Sequence, residues 1–228
     1  MPSLFDGVYA PATWGILLRG FSFGHTTQLA SAARAHLVAL AARTPVLAGA
    51  DQRAFIDIDS LLRPVYGYAK QGASFGHTKV SGKQVLRKGL SPLATTISTP
   101  IAAPVVAGIR LRAGKAGSGR GAASMVTEAI NTARAAGAAG ELLVRGDWAY
   151  GNSAVVKACL DTGARFSVVL TKNRAVSAAI ATIAGNAWTP VRYPGALPDP
   201  DTGELISDAE VAEVPVHRVH QHPQPGHR

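Results

Sequence analysis

Apolar positions recur along the chain with two different periods, and the change of period divides it. Over residues 26–43, TTQLASAARAHLVALAAR, they return every three or four positions. Leu29, Ala33, His36, Leu37 and Leu40 thus line one face of a predicted helix that Pro45 stops, with His36 expected as a half-buried packing residue. The preceding TWGILLRGFSFGHT is apolar and aromatic, and reads as an arm that docks on something else. Alternation with period two begins at AFIDID, residues 54–59, which predicts a strand. PVYGYA (64–69) predicts a short second strand that runs into a Gly-rich loop, KQGASFGHT. APVVAGIRLR (103–112), rich in β-branched residues, predicts a third.

Strand and helix then alternate. The Gly-rich turn AGKAGSGRG opens a helix near Ala122–Ala136, with Met125, Val126, Ala129, Ile130 and Ala133 on its buried face and Gly137 at its end. ELLVRGD is a fourth strand. SAVVKACLDTG is a helix capped by Asn152 or Ser153 and stopped by Gly163. RFSVVLT is a fifth strand, and NRAVSAAIATIAG a helix capped by Asn173. Beyond Trp188 the period fades into the turn-rich PVRYPGALPDPDTGE. The order is β-β-β-α-β-α-β-α. Short links between the early strands predict hairpins, and the later alternation predicts right-handed crossovers between parallel strands. This is the chain order of an α/β, ribonuclease-H-like fold, a mixed sheet with helices on both faces. The expected division is a helical N-terminal region (1–50), an incomplete ribonuclease-H-like domain (51–205) and a disordered tail (206–228).

Composition narrows the partners. Of the 228 residues 47% are hydrophobic, enough for a packed core. Lys and Arg number 23 against 14 Asp and Glu, a net charge of +9. That field favours polyanions, nucleic acid first and anionic membrane second, with a solvated basic surface as the plain alternative. Cys159 is the only cysteine, which excludes an internal disulfide and a Cys-rich zinc site; among Val155, Val156 and Leu160 it reads as a small core residue. No run of 18 apolar residues and no signal pattern is present, so a cytoplasmic protein without membrane segments is expected.

The acids carry the chemistry. Asp57 and Asp59 share one face of the first strand, with Ile56 and Ile58 on the other. Two like charges there repel unless a cation or water intervenes; both are solvated, or at least one is a ligand for a hard cation such as Mg²⁺. Asp147 follows the fourth strand directly and precedes a helix, at the carboxyl edge where open α/β sheets bind ligands. A helix cap or turn is its plain reading. In a ribonuclease-H-like sheet the first and fourth strands are neighbours, so Asp59 and Asp147 are expected to converge. AGKAGSGRG lacks the spacing of a nucleotide phosphate loop and reads as a basic, backbone-contacting turn. AFIDIDSLL is similar to the nucleophile motif of haloacid-dehalogenase-type phosphatases, but Thr171 and Lys172 follow Asp147, the reverse of that family's order. The His-rich VHRVHQHPQPGHR could bind metal, but its prolines and lack of period favour a disordered end.

DIDSLLRPVYGYAKQGASFGH, STPIAAPVVAGIRLRAGKAGSGRGA, LLVRGDWAYG, GARFSVVLTKN, AWTPVRYP and ISDAEVAEV, in this order, resemble DDE insertion-sequence transposases, in particular the group called the insertion-sequence thirteen-eighty family. The resemblance runs from about Thr13 to Val214. It implies a ribonuclease-H-like domain holding two Mg²⁺ (or Mn²⁺) ions on two Asp and one Glu, which cuts and rejoins DNA at mobile-element ends. It assigns the first acid to Asp59, with Asp57 in reserve, and the second to Asp147. The family's Asp-any-Thr is here Asp59-Ser60-Leu61, and its Arg-any-Asp-Ser/Arg is Arg145-Gly146-Asp147-Trp148, departing at Leu61, Gly146 and Trp148. The third acid is not found: Glu204, Glu210 and Glu213 stand in the wrong context. The chain stops soon after AEVAEV, where relatives continue, and VHRVHQHPQPGHR reads as a frameshifted end, so a truncated copy is expected.

DNA contacts are expected from Arg110, Arg112, Lys115 and Arg120 around the Gly-rich turn, from Lys70, Lys79, Lys83, Arg87 and Lys88 before it, and from Arg145. A homodimer on DNA and a nucleoid-associated location complete the expectation. The alternatives are a non-catalytic DNA-binding remnant and a Mg²⁺-dependent phosphatase.

Overall fold

The computed structural model describes residues 10–67, 70–191, 197–204 and 209–214, with the backbone alone at Lys79 and Val80. The chain forms two compact units, Met1–Val169 and Leu170–Arg228.

The first unit is built on β1, Arg53–Ser60. Its side chains alternate: Ala54, Ile56 and Ile58 are buried, while Phe55 and Asp57 are half-exposed. β5 (Leu93–Ser98) runs antiparallel beside β1 and pairs in turn with β6 (Val105–Arg110). On the other side β7 (Glu141–Gly146) lies parallel to β1, and β8 (Arg165–Val168) parallel to β7. The order β6-β5-β1-β7-β8, with β5 alone reversed, is that of a ribonuclease-H-like sheet.

Helix α3 (Ala122–Ala135) links β6 to β7, and α4 (Ser153–Asp161) links β7 to β8. Both links cross the sheet in the same direction, so right-handed crossovers put both helices on one face. Met125, Val126, Ala129, Ile130 and Ala133 of α3, all expected inside, meet Ile56, Ile58, Leu93, Ile97 and Val144 in one core, and Cys159 of α4 is fully buried with them. Burying five such side chains contributes on the order of 10 kcal/mol before the entropic cost of ordering them. Asn152 caps α4 through its side chain, which accepts from Val155 N–H at 3.1 Å.

Two helices precede the sheet, α1 (Pro11–Arg19) and α2 (Phe23–Ala41). Of the expected inner face of α2 only Leu37 is buried. His36 is exposed, which corrects its reading as a packing residue: α2 touches the rest of the unit along a narrower stripe, where Arg34 pairs with Glu128 of α3 at 3.3 Å.

Between β1 and β5 the chain detours through a separate sheet of order β2-β4-β3, formed by Arg63–Pro64, Ser74–Val80 and Lys83–Leu90. Two expectations fail here. KQGASFGHT, read as a loop, supplies much of β3, and PVYGYA gives only Pro64 to a strand, with Tyr68 and Ala69 outside the described residues. The second strand of the main sheet is LATTIS. At the β3–β4 turn Ser81 and Gly82 both have positive φ (48° and 79°), the type I′ geometry that matches strand twist.

The second unit holds α5 (Arg174–Ala181), capped by Asn173 as expected, and a small antiparallel pair, β9 (Thr189–Pro190) with β10 (Glu210–Val211). The terminal VHRVHQHPQPGHR, residues 216–228, lies outside the described residues.

Candidate active site

The parallel register of β1 and β7 ends at Ile58 opposite Gly146. One residue further on each strand come Asp59 and Asp147. Neighbouring strands lie about 4.8 Å apart, so the two residues follow the same end of adjacent strands. Both local geometries are tight. Asp59 Oδ1 lies 2.6 Å from Ser60 N, and Asp147 Oδ1 accepts from Ala149 N–H at 2.9 Å, an Asx turn that starts the loop to α4.

Asp57, two residues back, faces Arg145 across the same register. Its two oxygens accept from Arg145 Nε and Nη2 at 2.7 and 2.8 Å, a bidentate pair. The guanidinium also lies 4.3 Å above the Phe55 ring. The bond to Asp57 raises the Arg145 pKa against a smaller opposing effect of burial. Asp57 is thus committed to a neighbour, while Asp59 and Asp147 keep their outer oxygens.

Tyr150 lies behind the two acids. It is fully buried, and its hydroxyl forms no well-directed hydrogen bond. Burial raises its pKa; a weaker contact with Ser60 lowers it, the charges of Asp59 and Asp147 raise it, and that of Arg112 lowers it. The phenol thus lies within electrostatic reach of both carboxylates. The ring also explains Gly146: a Cβ there would sit 3.1 Å from Tyr150 Cβ and 3.2 Å from Ile58 Cγ2.

The Gly-rich turn after β6 forms the third wall. Ser118 accepts from the Ser60 hydroxyl at 3.2 Å. Arg112 holds the turn from within. Its guanidinium donates to the carbonyls of Ser91 (3.0 Å), Gly117 (3.2 Å), Ser118 (2.9 Å) and Arg120 (2.8 Å). Burial, then the neighbouring cations Arg110 and Arg120, lower its pKa, against the influence of Tyr150. Arg110 is engaged as well, with Glu128 at 2.7 Å and Ser124 at 2.7 Å. Lys115 and Arg120 are exposed on this turn, and Lys70 and Lys83 are exposed on the inserted sheet and its approach.

Trp148, next to Asp147, is 65% exposed, and neither it nor Tyr150 stood out in the sequence as a site residue. An indole following an acid has no signature in one chain, and Tyr150 is recognised only through its depth. Among the described residues no group of three His, Cys, Asp or Glu side chains could hold a metal ion. No helix of the described residues is long and apolar enough to cross a membrane.

The main sheet and the helices that flank it are those of a ribonuclease-H-like domain. Residues 23–196 match the family model of the transposase DDE domain, group 1, and the chain belongs to that family. No curated protein and no solved structure matches it.

Proposed function

We propose that the chain is an insertion-sequence transposase of the thirteen-eighty type, cleaving DNA at mobile-element ends, with Asp59 and Asp147 as its metal-binding acids. The single observation that supports the site assignment is the register of β1 and β7, whose last pair, Ile58 opposite Gly146, directly precedes the two acids. Carboxylate oxygens suit a hard divalent cation such as Mg²⁺ or Mn²⁺, and like charges side by side favour one. A bound ion there would activate the attacking oxygen and steady the leaving oxygen of a phosphodiester.

The chain's own residues prepare that edge. Arg145 occupies Asp57 and keeps a third negative charge from crowding the pair. The Asx turn fixes the Asp147 carboxylate, and Gly146 leaves room for Tyr150 to close the site from behind. Exposed Lys115, Arg120, Lys70 and Lys83 supply phosphate contacts, which give salt-sensitive affinity. Arg112 and Arg110 act through the turn they hold, not by reaching a phosphate.

With only two acids gathered among the described residues, cleavage by this chain alone is expected to be feeble. The test is end-labelled DNA carrying the ends of the encoding element, incubated with Mg²⁺ or Mn²⁺. Weak or no nicking, with salt-dependent binding, is expected. Efficient cleavage abolished by Asp147→Ala would keep the site and overturn the feebleness; efficient cleavage indifferent to Asp59→Asn and Asp147→Asn would remove the site. The phosphatase reading requires hydrolysis of small phosphate esters, and neither the strand order nor the family favours it.

A further inference from the structure

The net charge of the chain has one source. Residues 60–127 contain ten Lys and Arg and no Asp or Glu, so the remainder of the chain is close to neutral. This acid-free segment includes the whole inserted sheet; the chain leaves the main sheet after Ser60, the residue next to Asp59, and returns at β5.

The two faces of the insert differ. On one face the glycines admit another backbone. A Cβ at Gly76 would overlap the Gly114 carbonyl, and a Cβ at Gly114 would overlap the carbonyls of Ser74 and Gly89. Ser74 Oγ accepts from Lys115 N–H at 2.9 Å, so the insert is fastened to the Gly-rich turn that borders the site. The register puts Arg63, Phe75, His77, Leu86 and Lys88 on the opposite face, with Phe75 across from Lys88 and His77 across from Leu86. That face is open: Phe75 is 60% and Leu86 55% exposed, and Arg63 and His77 are exposed.

We infer that this face is a platform for unpaired DNA bases, on which Phe75 stacks while the surrounding cations meet the phosphates. The inference rests on the DNA-cleaving reading above and adds to it the form of the strand. A duplex presents phosphates outside and stacks its own bases, so cations alone would serve it. An aromatic face amid cations, with no carboxylate in the segment, fits a polyanion whose bases are free to stack. The Ser74–Lys115 bond ties the insert to the turn whose Ser118 meets Ser60, the residue after Asp59.

The experiment uses the full chain with a short fluorescein-labelled oligothymidine and a duplex of equal length, followed by fluorescence anisotropy across a salt series. Phe75→Ala should weaken oligothymidine binding about tenfold and leave duplex binding and both salt slopes unchanged, while Phe75→Tyr restores it. Because Phe75 is exposed, an unchanged melting temperature should show that the variant folds. Equal loss on both ligands, no loss on either, or a self-association that Phe75→Ala dissolves would each overturn the platform. If the wild type binds duplex and Phe75→Ala changes nothing, the platform fails and the transposase reading stands. If the wild type stacks oligothymidine on Phe75 while its DNA cleavage is efficient and indifferent to Asp59→Asn and Asp147→Asn, the assigned site fails and the platform stands.

Discussion

Asp59 and Asp147, 88 positions apart in sequence, are the first residues beyond the paired ends of two neighbouring parallel strands, β1 and β7. Like charges facing each other across strands destabilise by a few tenths to about 1 kcal/mol. Asp147→Asn should therefore raise the melting temperature by about 1–3 °C in the presence of a chelator. Adding Mn²⁺ should stabilise the wild type by mass action and leave Asp147→Asn and Asp59→Asn unmoved. Scanning calorimetry with and without Mn²⁺ measures both. A wild type indifferent to Mn²⁺ would rule out a cation at this edge.

The Asp57–Arg145 pair offers a test of whether the two carboxylates of β1 differ in role. Both side chains are about 40% exposed, so their coupling in a double-mutant cycle is expected near 1 kcal/mol despite the bidentate geometry. Asp57→Asn should retain whatever metal-dependent nicking the wild type shows, whereas Asp59→Asn should lose it. The same rates for both variants would mean that the two acids share one role.

Much of this arrangement is readable in the chain, for reasons that differ by element. The strand bearing Asp57 and Asp59 shows because isoleucines and acids alternate, and the β7 and β8 strands and their helices show because cap and stop residues frame them. The strand LATTIS gives no period because its inward Leu93, Thr95 and Ile97 alternate with Ala94, Thr96 and Ser98, too small a contrast in polarity. The insert's hairpin is hard to read although Ser81-Gly82 is a turn signal: polar residues fill much of both strands, and Gly76 and Gly89 on the covered face leave room for another backbone in place of apolar side chains. Site partners such as Arg145 for Asp57 depend on register, which no single-chain pattern fixes. Arg112 reads in sequence as one more surface cation, and only its depth reveals that four carbonyls surround it.

That depth divides the basic residues experimentally. Arg112→Ala strands several carbonyls without donors and should cost about 3 kcal/mol or more, with Arg112→Lys intermediate because an ammonium cannot reproduce the planar fork. Lys115→Ala should leave stability within about 0.5 kcal/mol and reduce the salt slope of DNA binding by about one. Urea titration and anisotropy against salt give the two quantities. A destabilised Lys115→Ala with an unaltered slope would reverse the assignment.

Cys159 sets an alkaline limit on stability. Its thiol is wholly buried in the core, and burial pushes its pKa up to about 11 from an ordinary 9.0. The unfolded chain therefore releases this proton at lower pH than the native chain. The contribution is fully present below about pH 9 and is lost as pH rises toward 11, because the native state then holds a proton that the unfolded state has given up. Two pKa units bound the loss at about 2.7 kcal/mol. Tyr150, also raised by burial, adds to the fall above its ordinary value of 10.0. Melting temperature should stay level from about pH 7 to 8.5 and then decline. Cys159→Ala should start lower, from the small cavity it leaves, but decline less steeply, and Tyr150→Phe should flatten the upper part of the curve. The same burial makes the thiol inert: Ellman's reagent at pH 8 should label it only on addition of denaturant. Rapid labelling of the native protein would place Cys159 at the surface and remove the basis for the alkaline decline.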